Sequence, residues 1–264
     1  MSDQITTSKL ETMKSAGEKF VMVTAYDATF ARLVSEAGAE CILVGDSLGM
    51  VLQGHDTTVP VSLDAMVYHT ECVARAHPHS LIVSDLPFMT YSSPDVALAA
   101  SMELMQKGAQ MVKLEGGTWL SETIHQLVQR GIPVCAHLGL TPQSVNVFGG
   151  YRVMGRTPKE AKSILADAVE IQDAGASMLL LECVPEELAA DISSKLDIPV
   201  IGIGAGAGTD AQVLVLHDLL GLTEKPAKFV QNFMKEANNV QEAIAGFVNA
   251  VKDGSYPQAQ HTYR

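Results

Sequence analysis

A single (β/α)8 TIM barrel, of the α/β class, is the fold that this sequence predicts, and three observations predict it. Eight short apolar runs recur along the 264 residues, amphipathic stretches separate several of them, and glycines stand where those stretches should end. The candidate strands are residues 20–25, 41–44, 81–84, 111–114, 134–136, 178–181, 200–203 and 213–216. Most are continuous and branched, as strands covered on both faces must be. Candidate helices include 29–37, 94–108, 120–131, 158–175 and 185–196. Gly38, Gly108, Gly131 and Gly175 close helices, and Pro94, Pro158 and Pro185 sit near first turns, where a missing N–H costs nothing. Strand–helix alternation gives a parallel sheet with right-handed crossovers. Eight repeats favour closure over an open doubly wound sheet, and no G-x-G-x-x-G follows the first strand. Such barrels commonly run to about 250 residues as one domain. Residues 1–264 therefore read as a single barrel domain, with an extra helix at 8–17 and a helical tail at 229–251.

Composition narrows the function classes. Hydrophobic residues make up 47% of the chain, enough for a large core. No run approaches the ~18 apolar residues of a membrane helix, and the first 19 residues lack the pattern of a signal peptide. The expected location is the cytoplasm. Net charge is −12, with no basic cluster to grip a phosphate backbone, so no nucleic-acid partner is expected. Cys41, Cys72, Cys135 and Cys183 form no C-x-x-C pair and match no zinc spacing; they read as reduced thiols.

In a closed barrel the chemistry sits at the C-terminal ends of the strands. Polar residues end these runs: Asp46 and Ser47 after the second, Asp85 after the third, Lys113 and Glu115 on the fourth, His137 after the fifth, Glu182 after the sixth, and His217 with Asp218 after the eighth. Lys113 and Glu115 are two apart and share a strand face. Each residue alone has a plain alternative. Asp46 or Asp85 could cap a helix, Lys113 could pair with Glu115 or Glu182, and His137 could be a satisfied core histidine. Glu182 follows three leucines, and a carboxylate there needs a partner or a raised pKa. All of these groups converge on one end of one barrel. Asp46, Asp85 and Glu115 offer oxygen ligands suited to a hard cation such as Mg2+ or Mn2+, Glu115 binding directly or through water. Such a cation could chelate a 2-oxo acid and acidify the adjacent C–H, with Glu182 as the base. Two long connections, 46–62 and 138–157, exceed ordinary βα loops and should border the pocket.

The runs Thr24-Ala-Tyr-Asp27, Val44-Gly-Asp-Ser-Leu-Gly-Met50, Gln53-Gly-His-Asp56, Asp85-Leu-Pro-Phe-Met89, Val112-Lys-Leu-Glu-Gly-Gly117, His137-Leu-Gly-Leu-Thr-Pro-Gln-Ser144 and Gly202-Ile-Gly-Ala-Gly206 resemble the ketopantoate hydroxymethyltransferase family, in order and over nearly the whole chain. Ala136 and Ala211 stand where that family's pattern has glycine. The resemblance implies a Mg2+-dependent transfer of a one-carbon unit from 5,10-methylenetetrahydrofolate to 3-methyl-2-oxobutanoate, giving 2-dehydropantoate on the way to pantothenate. It also implies one Mg2+ per subunit and a homodecamer of two pentameric rings. The family's metal residues fall on Asp46, Asp85 and Glu115, its oxo-acid contacts on Asp46, Ser47, Asp85 and Lys113, its substrate-side histidine on His137 and its proton acceptor on Glu182.

Four other readings compete. A Schiff-base aldolase would use Lys113, but needs a lysine with a depressed pKa. A phosphate-binding isomerase would use Gly202-Ile-Gly-Ala-Gly206. Another metal-dependent 2-oxo acid lyase, or a non-catalytic binding barrel, would share the scaffold.

Overall fold

The computed structural model describes residues 4–264. Its eight parallel strands close into a barrel in sequence order, β8 pairing back onto β1. They are β1 (Phe20–Thr24), β2 (Cys41–Val44), β3 (Leu81–Asp85), β4 (Met111–Glu115), β5 (Val134–Gly139), β6 (Met178–Glu182), β7 (Val200–Ile203) and β8 (Ala211–Leu214). Around them run α1 (Thr7–Ala16), α2 (Ala28–Glu36), α3 (Leu48–Val51), α4 (Leu63–Ala74), α5 (Pro94–Gln106), α6 (Ser121–Val128), α7 (Val145–Phe148), α8 (Pro158–Asp173), α9 (Glu186–Lys195), α10 (Leu216–Leu219) and α11 (Val240–Lys252).

Local chemistry sets the helix ends. Ser93 caps α5 and Thr157 caps α8, each accepting from a backbone N–H two or three residues inside the helix, and each is followed by proline in the first turn. A cap of this kind contributes about 1 kcal/mol. At Thr157 the side chain of Glu160 also reaches back to the Thr157 N–H, completing a capping box. Gly108 follows α5 at φ 107°, a conformation open to glycine at little cost. A Cβ there would also lie 2.4 Å from that of Ala74, so the same glycine lets α4 and α5 approach.

Register carries the polar residues to one level. Asp85 pairs with Lys113, Glu115 with His137, and Gly139 with Glu182 across neighbouring strands. The strand residues facing the helices are fully buried aliphatics such as Val112, Leu114, Leu179 and Leu181. Only the alternate set opens into the barrel mouth.

The structure departs from the sequence expectation in three places. The eighth strand spans Ala211–Leu214, two residues earlier than the apolar run suggested, because its ladder with β1 starts at Ala211 opposite Phe20. His217 and Asp218 consequently lie on α10 rather than on a strand end. The tail is α-helical only from Val240, where Asn239 supplies the cap by accepting from the Glu242 N–H. Between Phe229 and that cap there is one 3-10 turn, Phe233–Glu236, whose Phe233 ring packs edge-on against Phe247 and Tyr256. Finally, no helix joins β7 to β8 among the described residues. The extra helix expected at 8–17 is α1, and none of the helices is long and apolar enough to cross a membrane.

Candidate active site

Asp46, Ser47, Asp85, Lys113, Glu115, His137 and Glu182 all line one cavity of about 1180 Å³ at the C-terminal mouth of the barrel. The strands aim them: β3, β4, β5 and β6 carry Asp85, Lys113 with Glu115, His137, and Glu182, while Asp46 and Ser47 begin the turn after β2. The turn is tight, since a Cβ at Gly45 would lie 2.8 Å from Ser47 Oγ. All but Ser47 and Glu182 are buried.

The geometry is a chain of charge. Lys113 Nζ lies 2.9 Å from Asp85 Oδ1 and 3.9 Å from Glu115 Oε1, so its pairing is with Asp85 first rather than with Glu115 or Glu182. The Asp85 contact is ionic but misaligned, and Oδ1 has no hydrogen-bond partner. The other oxygen, Oδ2, accepts from the Asp46 N–H at 2.9 Å. His137 stands between two glutamates, Nδ1 at 3.3 Å from Glu115 Oε1 and Nε2 at 3.4 Å from Glu182 Oε2. It is therefore an active part of the network rather than a satisfied core histidine. Glu182 has found its partner there. Its side chain is 16% exposed, less enclosed than its leucine neighbours suggest, because of those only Leu180 shares its face of the strand.

These contacts shift proton affinities in identifiable ways. Burial, then the fields of Asp85 and Glu115, push Asp46 well above the usual carboxylate range, against Lys113 and a hydrogen bond from Gln143. Burial also raises Asp85, with Lys113 and the Asp46 N–H opposing it. For Glu115 burial is outweighed by His137 and Lys113, and its pKa falls. Burial and Lys113 disfavour charge on His137, yet Glu115 and Glu182 win and raise it to about 9. Burial likewise opposes charge on Lys113, but Asp85, Glu115 and Asp46 overcome it and hold the ammonium well above its ordinary value. A lysine so held is a poor amine nucleophile, which counts against the Schiff-base reading.

The carboxylate set also suits a cation. Asp46, Asp85 and Glu115 are buried with one lysine among them, which lies 2.9 Å from Asp85 Oδ1. A bound cation would relieve the repulsion among them. Among the described residues no group of three His, Cys, Asp or Glu side chains is placed to hold a metal ion together. An open set matches the habit of Mg2+, which takes one or two carboxylates and keeps places for water and substrate.

Sequence reasoning did not single out Gln143 or Tyr26. Gln143 donates to Asp46 Oδ2 at 2.8 Å, and the Tyr26 hydroxyl meets Ser47 Oγ at 2.9 Å. Both lie inside conspicuous sequence runs, Thr-Pro-Gln-Ser and Thr-Ala-Tyr-Asp, and a buried polar residue in such a run was the available signal. The two long connections do border the cavity, through His55 and Asp56 on one and Tyr151, Arg152 and Arg156 on the other. They touch where the Tyr151 hydroxyl lies 3.5 Å from Met50 Sδ. The glycine-rich run from within β7 to just beyond it serves packing instead: a Cβ at Gly202 would meet Thr209 Oγ1 at 2.7 Å, and one at Gly206 would meet Glu186 Cβ at 2.5 Å. Without a helix after β7 there is no helix N-terminus to receive a phosphate at that position.

Comparison with known proteins identifies the fold and the family. Among solved structures, a putative phosphonomutase from Burkholderia cenocepacia superposes with a TM-score of 0.65 at 16% identity, covering 82% of this chain and 95% of that one. Phosphoenolpyruvate phosphomutase from Streptomyces platensis does so at 0.62 and 15%, covering 94% and 88%. These likenesses show the fold. In sequence, 3-methyl-2-oxobutanoate hydroxymethyltransferase 2 of Pseudomonas entomophila is 56% identical over 98% of both chains. The 3-methyl-2-oxobutanoate hydroxymethyltransferase of Burkholderia multivorans is 55% identical over 98% of this chain and 96% of its own. A sequence model described as ketopantoate hydroxymethyltransferase matches residues 4–259. With the barrel, the acid-lined mouth and these relatives in hand, the chain belongs to the ketopantoate hydroxymethyltransferase family.

Proposed function

We propose that this protein transfers a hydroxymethyl group from 5,10-methylenetetrahydrofolate to 3-methyl-2-oxobutanoate in a Mg2+-dependent reaction, forming 2-dehydropantoate for pantothenate synthesis in the cytoplasm. The oxo acid comes from the names of the relatives, and the folate donor from the family resemblance. The observation that carries the chemistry is the placement of Lys113, the open carboxylates and Glu182 around one cavity. At about 1180 Å³ the cavity is roomier than one small oxo acid needs, since sites for a single drug-sized ligand run to roughly 300–1,000 Å³.

Asp46, Asp85 and Glu115 would hold the cation. Bound there, it would draw electron density from the keto group and acidify the neighbouring C3–H. The chain's own groups do the rest. Lys113, held charged, faces the substrate's carboxylate or enolate oxygen, and Ser47 positions the same end. Glu182 takes the C3 proton: the C–H bond breaks, its electrons pass toward the keto oxygen, and the carboxylate becomes a carboxylic acid. His137 faces the Glu182 carboxylate with Nε2 at 3.4 Å, an ionic contact that favours the carboxylate form of the base. C3 then forms its bond to the one-carbon unit as both C–N bonds that tie this carbon to the folate break. One water supplies the hydroxyl oxygen. The proton taken by Glu182 and the second proton of that water pass to the two folate nitrogens, so that tetrahydrofolate leaves. The loops meeting at Tyr151 and Met50 limit water entry. The family resemblance also supports a decameric assembly.

Exchange of the C3 proton of 3-methyl-2-oxobutanoate in D2O tests the reading. Exchange should vanish with chelator and return with Mg2+. Undiminished exchange in metal-free protein would overturn it.

A further inference from the structure

Each of the three open carboxylates is held at one oxygen by an amide N–H, and Gln143 supplies two of those three donors. Its side-chain Nε2 donates to Asp46 Oδ2 at 2.8 Å, and its backbone N–H donates to Glu115 Oε2 at 3.0 Å. The third donor is the Asp46 N–H on Asp85 Oδ2. Gln143 sits on the 3-10 turn Pro142–Ser144 after β5, yet it reaches the acids of β2 and β4 and, through a second Nε2 bond at 3.0 Å, the Leu86 carbonyl after β3. One buried residue thus ties together four adjacent strand ends, through its side chain to those of β2 and β3 and through its backbone N–H to that of β4.

The amide has one orientation. The Leu86 carbonyl can only accept, so Nε2 must face it. Oε1 then accepts from the Tyr91 hydroxyl at 2.5 Å, and Tyr91 is itself buried and stacked on Trp119. Every polar atom of the Gln143 side chain is therefore used, and none is spare to turn the amide over. The other oxygens are not held by amides: Asp85 Oδ1 lies 2.9 Å from Lys113 Nζ, Glu115 Oε1 lies 3.3 Å from His137 Nδ1, and no hydrogen bond reaches Asp46 Oδ1 among the described residues.

We propose that Gln143, locked by Tyr91, is the positioning residue that presents the carboxylates of Asp46 and Glu115 to a divalent cation. The inference rests on the cation reading of this site. Partners that orient metal ligands in this way commonly change metal affinity by roughly 10–100-fold when removed. They act by fixing which lone pairs point at the ion.

Mn2+ is the probe, added to chelator-stripped, full-length protein, with free Mn2+ followed by electron paramagnetic resonance and unfolding temperature recorded alongside. Gln143→Met keeps the side-chain length and the backbone N–H but loses the amide. It should bind Mn2+ roughly 10–100-fold more weakly than wild type. Tyr91→Phe removes only the lock and should weaken binding by a smaller factor in the same direction. A role in folding alone would lower the unfolding temperature and leave Mn2+ affinity unchanged, and that result overturns the inference. If Gln143→Met does not fold, Tyr91→Phe decides by the same criterion. Wild-type protein that binds no Mn2+ removes the cation reading and this inference together. Wild-type affinity in the folded variants removes this inference alone.

Discussion

At the N-terminal end of the barrel Glu40 and Asp210 each have a lysine, while at the C-terminal end Asp46, Asp85 and Glu115 share one. Asp210 Oδ2 accepts from Lys14 Nζ at 2.6 Å, Ser193 Oγ at 3.1 Å and the Val200 N–H at 2.8 Å. Glu40 accepts from Lys252 Nζ at 2.6 Å and the Val21 N–H at 2.9 Å. These acids are closed: each is matched in charge and donors, and together they pin α1 and α11 to the sheet. The acids of the mouth are under-compensated: three of them share Lys113, and the fields of Asp85 and Glu115 add to burial in raising Asp46. The difference separates carboxylates that hold a fold from carboxylates arranged to receive something, although both kinds have lysine partners.

The largest expected effect sharpens the functional side of that contrast. Glu182→Gln keeps shape and loses the proton acceptor. It should slow C3 exchange by roughly 10²–10⁴-fold, the usual contribution of a positioned base, with oxo-acid binding nearly intact. Wild-type exchange in the folded variant would move the role elsewhere. At the other end, Lys14→Met should lower stability by about 2–3 kcal/mol in denaturant unfolding. That is below the ~3–5 kcal/mol for breaking a fully buried pair, because the Lys14 and Asp210 side chains are 12% and 18% exposed. Its turnover per folded molecule should be unchanged; a loss of turnover without a loss of stability would erase the distinction between the two ends.

Much of this division was legible in the sequence. The eight strands follow from apolar runs, and Asp46, Asp85, Lys113, Glu115, His137 and Glu182 follow from where those runs stop. What was not legible depends on three-dimensional pairing. The run Val-Leu-Val-Leu at 213–216 has no internal mark of its end, and only the ladder to β1 fixes β8 two residues earlier. Gln143 sits 97 positions from Asp46 in sequence, so no local pattern reveals their bond. The pairing of Lys113 with Asp85 rather than with Glu115 depends on barrel register in the same way.

A smaller effect is pH dependence in cation-free protein. His137 is raised from 6.5 to about 9, so its charged form adds stability that is complete below pH 6.5 and is lost as pH rises through 9. Asp46, raised as well, contributes in the same direction, since the folded state holds its proton more tightly. Unfolding temperature should therefore fall between pH 6.5 and 9, and His137→Asn should flatten that slope. An equally steep slope in the variant would exclude His137 as its source. The smallest expected change is at the loops: both substrates together should slow limited proteolysis within 138–157, and equal cleavage with and without them would count against closure.

The central claim, that the mouth carboxylates are open for a cation, is tested most directly by thermal unfolding of wild type and Asp46→Asn across a Mg2+ titration at neutral pH. Without metal, Asp46→Asn should be the more stable by about 0.5–2 kcal/mol, as is common when a strained functional group is removed, because the repulsion from Asp85 and Glu115 is gone. Rising Mg2+ should then raise the wild-type unfolding temperature steadily and leave the variant nearly unmoved. Wild-type and variant curves that climb together, or a variant less stable than wild type in the absence of metal, would contradict the account.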